Sequence, residues 1–190
     1  MKTLIRFAAA SALLLALTIQ PAAATTAAEA ITSFRNAGAS AAYFSKSYAY
    51  AVFPSVGSGA IGVGGAYGKG RVYVHGKHVG DAKMGQISIG FQAGGKAYSE
   101  IIFFEDKRSL DEFESGNFEF GADASVVAIT AGANASAATN GASAGASANS
   151  SDATTRAGGF YKGMAVFTIA KGGLMYSAAI AGQKFSYTPL

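Results

Sequence analysis

The stretch GSGAIGVGGAYGKG, residues 57–70, constrains this chain more than any other. Gly57, Gly59, Gly62, Gly64, Gly65, Gly68 and Gly70 fall inside otherwise strand-like sequence. So many glycines exclude a helix, because each loses more backbone freedom on folding than any other residue. In strands, glycine marks tight bends, bulges or the close approach of another backbone. A strongly curved, barrel-like sheet uses such positions. Gly57 to Gly62 also spells G-x-G-x-x-G, but a dinucleotide loop must follow a strand and open a helix. Pro54 precedes this one and Val63-Gly64-Gly65-Ala66-Tyr67-Gly68 follows it, so the match carries no phosphate site. A P-loop fails as well, since Gly70 follows Lys69 where Ser or Thr is required.

The surrounding sequence predicts an α+β fold. Thr25 to about Lys46 is alanine-rich, with Ile31, Phe34, Ala41 and Phe44 at roughly helical spacing; Gly38 is a point where it splits. Pro54 closes that region. Beyond it, QISIGFQAG alternates Ile87, Ile89, Phe91 and Ala93 against Gln86, Ser88, Gly90 and Gln92, as a half-buried strand does. YSEIIFF ends in a continuous apolar run, the mark of a strand buried on both faces. IGVGGAYGKG, RVYVHGKHVG, FEFG, SVVAIT, MAVFTIA, LMYSAAIAG and KFSY read as further strands. One short helix interrupts them. In SLDEFESG, Ser109 and Glu112 form a capping box, Leu110 and Phe113 face the sheet, and Gly116 is the stop. The expected architecture is an N-terminal helical region packed on a curved, mostly antiparallel, barrel-like sheet with this one capping helix.

The chain begins MKTLIRFAAASALLLALTIQPAAA, with Lys2 and Arg6 ahead of an apolar run from Phe7 to Ile19 and an Ala22-Ala23-Ala24 cleavage pattern. This is the order of a secretory signal, residues 1–24, and predicts an exported domain over 25–190. The apolar run is too short for a membrane span, which needs about 20 residues. The expected location is periplasmic or secreted, with peripheral association at an outer membrane. With no cysteine, neither disulfides nor thiolate metal sites are available. Residues 131–159 are low-complexity Ala, Ser, Gly, Asn and Thr, too poor in bulky apolar side chains to offset ordering entropy, and read as a flexible insertion.

The sequence offers no catalytic set. GASAG, Gly141 to Gly145, has the letters of a nucleophile elbow, but Ser143 lies in the low-complexity segment and no histidine follows it. His75 and His78 lack the cysteines or H-E-x-x-H context of a metal site and read as turn or strand-surface residues. The chain is therefore read as a non-enzyme with no cofactor and no metal. The formal charge is +4, and removal of Lys2 and Arg6 leaves +2, too mild for nucleic acid. The bases are unevenly placed, however. Lys69, Arg71, Lys77, Lys83 and Lys96, with Tyr67 and Tyr73 as exposed aromatics, are the candidate contacts to anionic phospholipid or a membrane surface. A solvated face is the plainer reading of the same blocks.

Val52 to Gly182 resembles the SYLF domain, a lipid-binding family also described as actin-binding in yeast proteins. The resemblance rests on Phe53-Pro54 with Val56, on GVGGAYGKG, on Gly90-Phe91-Gln92-Ala93-Gly94, on Phe113, Gly116 and FGADASV, and on AKGGLMYSAAIAGQ. It implies the family's fold and an affinity for lipid. Ser58, Lys96 and Ser99 stand where the family has lysine, glutamate and aspartate, and VAITAGA replaces Ala-Ala-Gly-Pro, so actin is not expected as a partner. The leading expectation is an exported, non-enzymatic protein associating peripherally with anionic lipids. The alternative is a small integral outer-membrane β-barrel, which export and glycine–tyrosine alternation also fit. IIFF, which does not alternate, and short strands such as RVYVH argue against the barrel.

Overall fold

The computed structural model describes residues 25–59, 64–88, 96–121, 126–129, 159–171, 180 and 182–190. The signal segment, Ile89 to Gly94 of QISIGFQAG, Ala122 to Ser125 of FGADASV, the low-complexity insertion apart from Gly159, and most of LMYSAAIAG lie outside them.

Three helical pieces come first, α1 (Ala27–Asn36), α2 (Gly38–Ala41) and α3 (Tyr43–Lys46). Thr26 caps α1: its side chain accepts from the Glu29 N–H at 3.2 Å, and the Glu29 carboxylate accepts from the Thr26 N–H at 2.7 Å. The Thr26 N–H, together with the Thr26 hydroxyl donating at 3.0 Å, holds the Glu29 carboxyl below its ordinary range. Seven strands follow: β1 (Ala49–Gly59), β2 (Gly64–Val74), β3 (Lys77–Ser88), β4 (Lys96–Phe104), β5 (Val127–Ile129), β6 (Met164–Ala170) and β7 (Gln183–Pro189). Helix α4 (Lys107–Glu114) lies between β4 and β5. The sheet order is β5-β6-β4-β1-β2-β3-β7, with every neighbouring pair antiparallel except β5–β6.

Several expectations change at the level of elements. Pro54 does not close the helical region, which ends before Ala49; it sits inside β1 on a central strand. The ladder slips there against both neighbours, between Val52 and Ser55 and between Phe53 and Val56. A bulge needs no N–H from its extra residue, so proline is tolerated. Ser99 Oγ donates to the Pro54 carbonyl at 2.8 Å and keeps that acceptor satisfied. Helix α4 starts three residues earlier than the expected Ser109 cap implies. Its N-cap is Asp106, which accepts from the Ser109 N–H at 2.8 Å, so Ser109 is the third helical residue rather than the cap. Gly116 does end it, at φ +76°. FEFG forms only an isolated bridge, Glu119 to Lys184. GGAYGKG and RVYV are one strand, β2, while HGKHVG makes the turn and the start of β3; that turn has positive φ at His75 and Gly76, as a type I′ hairpin requires.

The sheet has a buried cluster on each face. On the inner face lie Ala51, Phe53 and Val56 of β1, Val72 of β2, Met84 of β3, Ile102 and Phe104 of β4, and Phe185 of β7, with Leu110 and Phe113 of α4. On the outer face, Val52, Ile101, Phe103, Phe167 and Ile169 share a cluster with Ala30 and Phe34 of α1 and Tyr43 of α3. The Tyr43 ring stacks on Phe103 at 5.5 Å. Thus β4 is buried on both faces, as its continuous apolar run predicts.

The curvature follows from ring contacts. Phe53 on β1 and Phe185 on β7 are three ladder steps apart, about 14 Å in a flat sheet at the usual strand spacing. Their ring centroids are 5.7 Å apart, so the sheet curls over its inner face. It does not close: β5 and β7 remain the two ends of the order, and the expected barrel-like sheet is an open, curled one. The glycines permit the curl. A Cβ on Gly70 would stand 2.6 Å from the Phe53 ring and 2.7 Å from the Val52 carbonyl, and one on Gly80 would enter the Tyr187 ring.

Candidate functional site

Strand alternation sorts the candidate bases. Along β2, Gly68, Gly70 and Val72 point inward and are buried, while Tyr67, Lys69 and Arg71 point outward and are exposed. Along β3, Ala82 and Met84 are buried and Asp81 and Lys83 exposed. The register joins Ser55 to Lys69, Lys69 to Lys83 and Lys83 to Ser186, so these four form one exposed row across β1, β2, β3 and β7. The next row is Gly57, Tyr67, Gly85 and Lys184. On the other side Arg71 stands opposite Asp81. Two lysines directly opposite on adjacent strands have Cβ atoms about 5 Å apart and repel.

Other placements depart from expectation. Lys69 and Arg71 lie on an interior strand, β2, between β1 and β3. Lys77 is exposed at the hairpin end of β3, beside the turn rather than within the lysine row. Lys96 opens β4 opposite Ser58; its side chain lies outside the described residues. Tyr67 is 52% exposed, with glycine opposite it on both neighbouring strands. Tyr73 is not an exposed aromatic: it is half-buried and stacked on Tyr50 at 5.1 Å. His75 sits in the turn against Tyr48 at 5.0 Å, and His78 Nε2 lies 3.1 Å from Asp81 Oδ1. Lys184 is paired with Glu119 at 3.2 Å.

The inner face holds a second polar group that the sequence reading passed over. Glu100 of β4 is fully buried. Its Oε2 accepts from Gln183 Nε2 at 3.0 Å, and the same nitrogen lies 3.2 Å from the Tyr98 hydroxyl. Gln183, on β7, is also fully buried. Burial pushes the Glu100 carboxyl up to about 7, partly offset by the Gln183 hydrogen bond. Glu100 Oε1 and Gln183 Oε1 have no hydrogen-bond partner. A signal was present in the sequence: in YSEIIFF the glutamate shares its strand face with Tyr98, Ile102 and Phe104. A carboxyl at that position of a strand buried on both faces has no route to water.

Comparison with known proteins converges on one family. The family described as "Ysc84: Las17-binding protein actin regulator" matches residues 85–184. Beta cell expansion factor A from Aeromonas veronii is 31% identical over 147 residues, covering 75% of this chain and 46% of that protein. The chain therefore spans about half the length of this curated relative. The family match includes Glu100 and Gln183, whereas Lys69, Arg71, Lys77 and Lys83 precede it. With more than half the sequence inside the match, and with the Gly-Phe-Gln-Ala-Gly and Phe-Gly-Ala-Asp signatures lying within it, the chain belongs to the SYLF, or Ysc84, family.

Proposed function

We propose that this protein is an exported, non-enzymatic lipid-binding protein that associates peripherally with anionic membranes through the outer face of β2 and β3. The observation that carries the reading is the exposed row Ser55–Lys69–Lys83–Ser186, flanked by Arg71 and Tyr67. Family membership supports lipid affinity, the coarser part of the proposal. Magnitudes favour reversible binding. Each base near an anionic surface contributes about 1 kcal/mol, so Lys69, Lys83 and Arg71, less the opposing Asp81, supply about 2 kcal/mol before apolar contact. The exposed Tyr67 ring adds an amphipathic contact suited to the headgroup layer. Lys69, Lys83, Arg71 and Asp81 also count against the integral-barrel reading, because the outer face of such a barrel meets hydrocarbon. We do not extend an actin role to this chain, given Ser58, Lys96 and Ser99 at the family's charged positions.

The test is flotation of the purified protein with vesicles. Binding is expected to vesicles containing anionic phospholipid and not to neutral ones, and to fall steeply with salt as screening shortens to about 10 Å at 0.1 M. Changing Lys69, Arg71 and Lys83 together to glutamine should lower anionic binding by on the order of 100-fold, the effect of losing three contacts of about 1 kcal/mol each. Equal binding by the variant at low salt rejects this face as the lipid contact.

A further inference from the structure

We infer that Glu100, Gln183 and Tyr98 form a proton-operated latch that ties β4 to β7 across the curled inner face. These strands are four ladder steps apart, about 19 Å in a flat sheet, and are not paired with each other. The bond from Gln183 Nε2 to Glu100 Oε2, 3.0 Å, bridges them directly.

The hydrogen-bond inventory asks for one proton. Both donors of the Gln183 amide have acceptors, Glu100 Oε2 and the Tyr98 hydroxyl. What remains is one orphaned oxygen on each partner, Glu100 Oε1 and Gln183 Oε1. Both are acceptors when Glu100 is ionised, and an unsatisfied buried acceptor is costly. A proton on Glu100 Oε1 supplies the donor that Gln183 Oε1 lacks, and a small rotation of the two planar groups then completes a doubly bonded acid–amide pair. Removing that proton leaves a buried carboxylate on a single amide bond, and the interior must admit water to solvate it.

The residues opposite in the ladder carry no charge. Thr168 of β6 and Phe53 of β1 stand opposite Glu100, and Gln86 of β3 stands opposite Gln183. Among the described residues, the other titratable side chains in or against the inner cluster are Tyr98 and, further along β7, Tyr187, with Glu114 of α4 beside Tyr187. By register Lys96 of β4 and Lys77 of β3 also fall on this side, Lys77 exposed beside the hairpin turn and Lys96 with its side chain outside the described residues. Burial is the leading cause of the upward shift at Glu100, and the Gln183 hydrogen bond opposes it. Because the folded-state value, about 7, lies above the ordinary 4.5, the latch contributes fully below pH 4.5. Its contribution is lost as pH rises through about 7.

Two measurements on the full chain test this. Carbon-13 NMR of labelled glutamate carboxyls should show one resonance titrating near neutrality and absent in Glu100→Gln; if Glu100 titrates near 4.5, the latch does not exist. Denaturant unfolding and β7 amide exchange between pH 5 and 8 form the second test. The wild-type folding constant should fall by on the order of 50- to 100-fold over that range. In Glu100→Gln the new amide can donate to Gln183 Oε1 at every pH, so most of that fall, and the loss of β7 protection, should disappear. If Glu100→Gln follows the wild-type profile, the latch is overturned. If that variant does not fold, the wild-type carboxyl titration decides alone.

Discussion

At the scale of single residues, glycine has two opposite uses in this sheet. Gly70 faces inward, where its bare backbone receives the Phe53 ring; Gly57 faces outward, and a Cβ there would meet nothing within 4 Å. Gly70→Ala should therefore destabilise by about 1–3 kcal/mol through overpacking. Gly57→Ala should be neutral or stabilising by about 0.4–1 kcal/mol through the unfolded chain. Urea unfolding of the two variants checks the contrast; equal effects would mean that the inner glycines are not there for ring packing. The glycine pattern was readable as curvature, because curvature needs missing side chains wherever rings cross the sheet. Which glycines meet rings was not readable, since Phe53 contacts Gly70 through the bulge at Pro54, and a bulge shifts the register that local alternation would assign. Glu100 was hidden for a related reason. Its partner Gln183 is 83 residues away in sequence and four strands away in the sheet, so no local pattern joins them.

At the scale of elements, the row of lysines sets stability against binding. Lys69 and Lys83 face each other across β2 and β3, a like-charge pair that cross-strand energetics penalise by about 0.2–1 kcal/mol. Lys69→Gln should raise stability by up to that amount at low salt, with the gain shrinking as salt screens the repulsion. The same variant should bind anionic vesicles more weakly. Paired unfolding and flotation measurements at two ionic strengths check both arms; a lysine that only keeps the face soluble would change the first and not the second. Most strands were legible, since MAVFTIA and KFSY carry their own periodicity and fall within β6 and β7. The extent of β2 was not. Its glycines look like interruptions in isolation, but hydrogen bonding to β1 and β3 on both sides carries the strand through them. Tyr73 shows the same limit: alternation puts it on the outer face, while the Tyr50 ring beside it decides that it is covered.

At the scale of the whole molecule, the sheet divides two clusters that differ in size and in how they are closed. The inner one draws on β1, β2, β3, β4, β6, β7 and α4, so its loss dismantles the sheet itself. The outer one receives from α1 and its C-cap the buried Ala27, Ala30, Phe34 and Ala37, of which only Phe34 is large. Burying one phenylalanine contributes about 1.5–3 kcal/mol, and a ten-residue helix is marginal by itself. Helix α1 should therefore open locally, at a free energy well below that of global unfolding. Native-state hydrogen exchange is expected to show α1 amides exchanging before those of β1 and β4. Phe34→Ala removes the helix's main anchor and, at about 3–5 kcal/mol for a buried phenylalanine, should bring α1 exchange close to that of an unfolded segment. The β4 amides are the discriminating probe, because Ile101 and Phe103 lie in the outer cluster while Ile102 and Phe104 lie in the inner one. If they keep their protection in Phe34→Ala, the outer layer is a separate unit that can leave the sheet intact. If β4 loses protection in step with α1, the two clusters unfold together and the sheet depends on its helices.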